Sequence, residues 1–309
     1  MNLGAEKEKE EGKEKEKQRL GIALRPTVFS HFEMKKIVEY CDSEYKRYTH
    51  VFLPDIMAQM DPVELSLWLL SSTSTVRVGP GVIRLLEHDV NQLARRVSTI
   101  QRLSSNRLIL GVGVGRPKDK ASSAISELFN RLAVLKEKLT DDLPEIFVAA
   151  LKIGIAKKAV ERNYTPLLNF CSSDYAGRIS KRLDGIGNAG LACYVKVFYS
   201  AEDDRAVSNM VKEFTAYNMI PQYHQLFVIQ GLDKDIERLG KATKLARSDL
   251  PSSMLHICPV NPEPAELQKF IDDMRNSGVS LPVLYPYFDE SDSEEFRLRK
   301  IEELLSSLH

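Results

Sequence analysis

Eight short apolar runs of β character, each followed by a stretch of helical period, predict an α/β chain. The runs are spaced for crossover connections, and the expected architecture is a single (β/α)8 barrel. A mostly helical excursion over residues 201–277 is expected between the seventh and eighth strands. At 309 residues the chain is long enough to bury one large core. An open, doubly wound sheet is the alternative that these observations leave standing.

The elements follow in order. Residues 5–18 are almost wholly charged and carry no apolar stripe. Such a stretch buries too little surface to offset its ordering entropy. A disordered charged tail is therefore expected over 1–18 and the barrel over 19–309. Gly21–Phe29 reads as the first strand, and Ser30 caps a helix with Met34, Ile37, Val38, Cys41 and Tyr45 at helical spacing. His50–Asp55 is the second strand. Asp61, Pro62 and Glu64 then give cap, first-turn proline and acidic N3 for the next helix, in which Trp68, Leu69 and Leu70 are expected in the core. Thr75–Ile83 is the third strand, and Asp89 caps a helix with Val90, Leu93, Val97 and Ile100 on one face. Strands five to eight are placed at Glu145–Ala150, Thr165–Phe170, Leu191–Tyr199 and Val279–Tyr287, with a last helix through Leu308.

The fourth strand, Arg107–Arg116, is the most unusual stretch. Gly111, Gly113 and Gly115 alternate with Leu110, Val112 and Val114, so a strand would carry three glycines on one face. Glycine weakens a strand interior and marks places where something approaches the backbone closely. Two readings stand: the glycines fit a crowded strand end, or they leave room for a flat cofactor ring. The dinucleotide-binding fingerprint is excluded, because Arg116 occupies the position of its third glycine.

Composition narrows the function classes. Lys plus Arg and Asp plus Glu are 43 each, so net charge argues for neither nucleic acid nor an anionic membrane. No apolar run is long enough for a span and the N-terminal residues are charged, so neither a membrane segment nor a secretion signal is expected. Cys41, Cys171, Cys193 and Cys258 lack paired spacing and read as reduced core thiols of a cytoplasmic protein. No ligand spacing for a metal, no nucleophile elbow and no phosphate-cradling Walker loop occurs.

The block from Val76 to Gly115 carries a family resemblance. Val78-Gly79-Pro80-Gly81-Val82, a His88-Asp89 helix start, an amphipathic helix, Leu103-Ser104-Ser105-Asn106-Arg107 and the glycine-rich strand follow one another in the order found in bacterial luciferase-like proteins. Within that family the block is most similar to deazaflavin-dependent methylenetetrahydromethanopterin reductases, whose corresponding helix closes on Ser-Gly-Gly-Arg. The resemblance implies a (β/α)8 barrel that binds coenzyme F420 or FMN at the C-terminal mouth, acts on a small-molecule substrate and forms a homodimer. It places Gly81 and Val82 at a bulge behind the ring, often with a non-prolyl cis peptide, makes Gly79 a further cofactor-binding residue, and sets Gly111, Gly113 and Gly115 beside the ring. Ala150, Lys152 and Gly154 fall at the family's phosphate site, where a helix N-terminus suits an anion.

The chain departs from the family at several of these places. Asp55 is followed by Ile56 where many members have Asp-His, which leaves Asp55 as the candidate proton handler. The close-approach glycine of the phosphate site has moved to Gly154. The insertion after the fourth strand is shortened to residues 116–122. His31, His88 and Arg116 are further candidates near the mouth. The expected function is a flavin- or deazaflavin-dependent oxidoreductase, transferring hydride with F420 or monooxygenating with FMN. The alternatives are a non-catalytic relative that binds a planar ligand, or an aldolase-like barrel with Lys152 as Schiff-base nucleophile.

Overall fold

The computed structural model describes residues 19–45, 47–56, 60–115, 121–187 and 189–308. The expected tail over 1–18 and the candidate Arg116 lie outside the described residues. In chain order the elements are β1 (Leu20–Ala23), α1 (His31–Ser43), β2 (Tyr48–Leu53), α2 (Pro62–Leu70), β3 (Arg77–Pro80), β4 (Ile83–Arg84), α3 (Val90–Leu103), β5 (Ile109–Gly113), α4 (Ala121–Leu139), β6 (Glu145–Ala149) and α5 (Ile153–Val160). There follow β7 (Thr165–Leu168), α6 (Ser173–Leu183), β8 (Ala192–Tyr199), α7 (Asp203–Asn218), α8 (Pro221–Gln230), α9 (Asp233–Leu239), α10 (Ser252–Leu255), α11 (Pro264–Asn276), β9 (Leu281–Phe288) and α12 (Glu294–Ser307). β3 and β4 are two halves of one stave, so eight β/α repeats give the (β/α)8-barrel fold class expected from the sequence.

The chain divides into two compact units. The N-terminal unit comprises residues 1–149 with 159–167, and the C-terminal unit residues 150–158 with 168–309. In the N-terminal unit β1, β2 and β3 pair in parallel, as do β4, β5, β6 and β7. A bridge from Val78 to Leu108 joins β3 to the start of β5. In the C-terminal unit β8 and β9 pair in parallel along all eight residues.

Local signals set the helix starts. Ser30 Oγ accepts from the Glu33 N–H, and Glu33 Oε2 accepts from the Ser30 N–H at 2.7 Å, a reciprocal cap that opens α1. Asp61 accepts from the N–H groups of Val63 and Glu64, and Asp89 from that of Gln92. The first strand stops at Ala23 rather than Phe29, because residues 25–29 turn back with the Val28 and Phe29 N–H groups donating to the Arg25 carbonyl. Ser105 and Asn106 stand where the resembled family has two glycines, and both adopt positive φ, at 55° and 62°. Arg107 then donates to the Leu70, Thr73 and Val76 carbonyls, tying the end of α2 to the third stave.

Asp42, at the end of α1, accepts from the N–H groups of Ser74, Thr75 and Val76 and from both hydroxyls. Burial works to raise its pKa, but these five bonds prevail and hold it well below the usual carboxylate range.

Two expectations are corrected. Trp68 is 37% exposed, because Val63, Leu65, Ser66, Leu69 and Leu70 already fill the inner arc of α2. Its ring meets that of His31 edge-on at 5.7 Å. The helical excursion is also shorter than 201–277: residues 259–261 run beside Phe198 at the end of β8, and α11 packs on β9 as the crossover helix itself. All four cysteines are buried and unpaired by disulfide, as expected. No helix among the described residues is long and apolar enough to cross a membrane.

Candidate cofactor site

The inward face of the N-terminal unit is fixed by its aromatic contacts. Phe52 of β2 meets Phe147 of β6 edge-on at 5.0 Å, and His50 meets the same ring at 5.7 Å. These strands are not neighbours, so their rings point to the concave side. Register opposes Gly79 to Phe52 and Gly111 to Phe147, which puts both glycines on that side.

The third stave bends here. Between its pairings with Leu108 and Val112 it spends five residues where β5 spends four, a one-residue bulge at Gly81 and Val82. The Gly81–Val82 peptide is cis. Gly81 is buried, while Val82 keeps part of its surface exposed.

The glycines make this bulge possible. A Cβ at Gly79 would stand 1.8 Å from the Ile109 carbonyl oxygen, and one at Gly111 would stand 2.4 Å from that of Pro80. At Gly113 the nearest atoms are Val82 Cγ2 at 3.1 Å and Ala149 Cβ at 3.4 Å. The bare face of β5 therefore receives the third stave, and Val82 lies over Gly111 and Gly113. Gly115 does not share their face. It follows the end of β5 with φ +76°, and a Cβ there would meet the Arg84 side chain at 2.8 Å. The expectation of three glycines along one strand face is thus corrected to two in the strand and one at a turn.

Arg84, at the end of the third stave, joins the site although it is not among the candidates that the sequence singles out. Its Nη2 lies 3.1 Å from Asp55 Oδ2, and its Nε 3.2 Å from Glu87 Oε2. Its place at the end of the third stave and the i,i+3 spacing to Glu87 are the signals that pointed to it. Asp55 is thereby held at the end of β2 by a partly buried cation. His31 is exposed at the start of α1 and packs on Phe32 and Trp68. The His88 carbonyl accepts from Arg131 Nη1 at 3.0 Å.

In the C-terminal unit Ala150 is fully buried. Lys152 Nζ donates to Gln225 Oε1. Gly154 lies in the first turn of α5, and nothing stands within 4 Å of a Cβ placed there. This unit also holds a group with no expectation attached. Lys196 of β8 is 1% exposed, its Nζ 2.9 Å from Glu213 Oε1 and 3.0 Å from the Tyr287 hydroxyl. The Tyr287 hydroxyl donates to the same carboxylate oxygen at 2.6 Å. Rings of Phe170, Tyr217, Tyr287 and Tyr285 surround the ammonium at 3.9–5.4 Å. A single Lys in an otherwise apolar strand was its only trace in the sequence.

Residues 44–140 match the model of the luciferase-like monooxygenase family. No curated protein matches the sequence. Three solved structures illustrate the likeness in fold. A coenzyme F420-dependent tetrahydromethanopterin reductase from Methanopyrus kandleri is 14% identical, with TM-score 0.64 over 94% of this chain and 99% of that one. An F420-dependent secondary alcohol dehydrogenase in complex with an F420–acetone adduct is 11% identical, with TM-score 0.70 over 95% and 99%. The oxygenating constituent of 3,6-diketocamphane monooxygenase from Pseudomonas putida, in complex with FMN, is 15% identical, with TM-score 0.63 over 94% and 99%. The resemblance read from the sequence is borne out on both counts: a luciferase-like monooxygenase match over residues 44–140, and the fold shared by F420- and FMN-dependent oxidoreductases.

Proposed function

We propose that this protein is a luciferase-like oxidoreductase, cytoplasmic and homodimeric, that uses F420 or FMN on a small-molecule substrate. The observation that carries the reading is the bulge of the third stave. Gly81 has no side chain, and Val82 is propped from behind by Gly111 and Gly113. Together they offer a flat, partly exposed apolar rest that fits one face of a ring. When bound, the ring supplies hydride transfer or oxygen activation, and the chain supplies position and charge.

In this reading Asp55 is the proton acceptor of the N-terminal unit, kept in place by Arg84 at 3.1 Å. In the C-terminal unit Lys152 and the open first turn of α5 at Gly154 suit a phosphate, because the turn's N–H groups and the ammonium favour an anion. A second reading, a relative that binds the ring without turnover, is favoured by one observation. No imidazole follows Asp55, and its carboxylate is already engaged by Arg84.

Titration of the purified protein with FMN and with F420, followed by absorbance and fluorescence, tests the first reading. Micromolar binding of either is the expected result. Binding of neither at high micromolar concentration overturns it, and tight binding with no reduction or reoxidation by any donor pair selects the second reading.

A further inference from the structure

A groove of about 280 Å³ in the C-terminal unit has charged lining residues of one sign. It is lined by Lys152 and Ile153 at the start of α5, by Tyr175, Arg178, Ile179 and Arg182 of α6, and by Ile229 of α8. The four α6 residues fall at i, i+3, i+4 and i+7, so they form one stripe along the helix. Three of the lining side chains are cations and none is acidic.

The cations are not balanced by the protein. Arg96, by contrast, is held by Asp61 and Glu64, and Arg102 by Asp142. Among the described residues neither Arg178 nor Arg182 has a carboxylate within ion-pair distance. The Arg178 guanidinium lies 5.3 Å from the Tyr175 ring, and Lys152 donates to the neutral amide of Gln225. The Tyr175 hydroxyl is spent on the Leu151 carbonyl at 2.8 Å. Like charges four apart on a helix repel, so the stripe costs stability unless an anion lies along it. Behind the charges, Ile153 and Ile179 give an apolar floor, and Ile229 a rim that is 49% exposed.

We propose that this groove binds a ligand segment carrying at least two acid groups, phosphate or carboxylate, along an apolar backing. One helical turn separates Arg178 from Arg182, about 6 Å along the axis. A single phosphate therefore engages only part of the stripe, whereas a chain of acid groups engages all of it. Two sources carry that chemistry: a free polyanionic metabolite, or the phosphate- and carboxylate-bearing tail of a deazaflavin, which FMN lacks beyond its one phosphate. Only the second source rests on the function proposed above.

The test uses the full chain, with the exposed Arg178 and Arg182 changed together to Gln and folding checked by a melting temperature no lower than the parent's. Calorimetric titration with triglutamate should show binding that weakens with added salt. The double variant should weaken it about tenfold, the loss of two charge-assisted contacts. F420 and FMN are titrated in parallel. An F420 affinity about tenfold weaker in the variant, with FMN little changed, identifies the cofactor tail. Loss of triglutamate binding with F420 unaffected identifies a free polyanion. If neither F420 nor FMN binds the parent protein, the cofactor reading fails while triglutamate still decides the groove. If the variant binds triglutamate and F420 as the parent does, or if the parent binds neither, the proposal is overturned.

Discussion

The inner wall of the N-terminal unit and the Lys196 cluster of the C-terminal unit solve opposite packing problems. At Gly79 of β3 and Gly111 of β5 side chains are absent, so that backbone can lie against backbone: the Gly79 Cα hydrogen and the Ile109 carbonyl share space that no Cβ would fit. Around Lys196 every position is filled, and a buried ammonium is made tolerable by one carboxylate, one phenol and four rings. A glycine wall is local and conspicuous in the chain. The cage takes its members from residues 170 to 287, and nothing nearby in sequence announces it. Emptiness in a sequence pattern therefore marks a close approach, while a buried charge marks long-range agreement among segments.

Substitutions break this comparison in a definite order. Gly79→Ala puts a methyl group into the Ile109 carbonyl, which is backbone and has nowhere to go. The expected cost exceeds about 4 kcal/mol, read as loss of a cooperative urea transition. Lys196→Ala should cost about 3–4 kcal/mol, because it leaves the largely buried Glu213 without its lysine. Lys196→Met keeps the packing and should recover part of that loss in the same denaturation series; equal losses would show that the lost ion pair, not the lost packing, sets the cost.

Asp42→Asn weakens the clamp on residues 74–76 and should cost about 2 kcal/mol at neutral pH. The Asp42 carboxyl is lowered in the folded protein, so its contribution is complete above the unfolded value near 4 and is lost as the pH falls through the folded value. Asp289, held down to about 2 chiefly by the Ser291 hydroxyl, adds a loss of the same sign. Stability should therefore decline from about pH 4 to about pH 2, with the Asp42→Asn variant losing less than the parent. The smallest effect is expected at Gly154. Alanine has open space there, and a gain of about 0.5 kcal/mol in melting experiments should accompany weaker binding of any phosphate seated on that turn.

Much of the fold was legible because its signals are local. The caps Ser30, Asp61 and Asp89 and the apolar periods fixed the helices, and the block from Val76 to Gly115 showed the family resemblance. Strand ends were less legible. Tyr48 and Thr49 join β2 and Leu24–Phe29 leave β1 because the pairing partner, not propensity, decides where a strand stops. The candidate site was legible in its glycines and its bulge, yet the glycines' immediate neighbour was not: Val82 lies on them by virtue of a one-residue slip between staves. Arg84 carries local signals in its strand end and its spacing to Glu87, but its ties to Asp55 and Gly115 span 29 and 31 residues and leave none.

By itself the sequence determined the alternation of strands and helices, since period and caps act within a few residues. It also determined where the backbone must come close, since glycine permits what no other residue does. Tertiary structure alone decided what comes close there, which cations find carboxylates and which, like Arg178 and Arg182, are left facing a groove. Those outcomes depend on distances between segments, and a linear order of residues does not contain them.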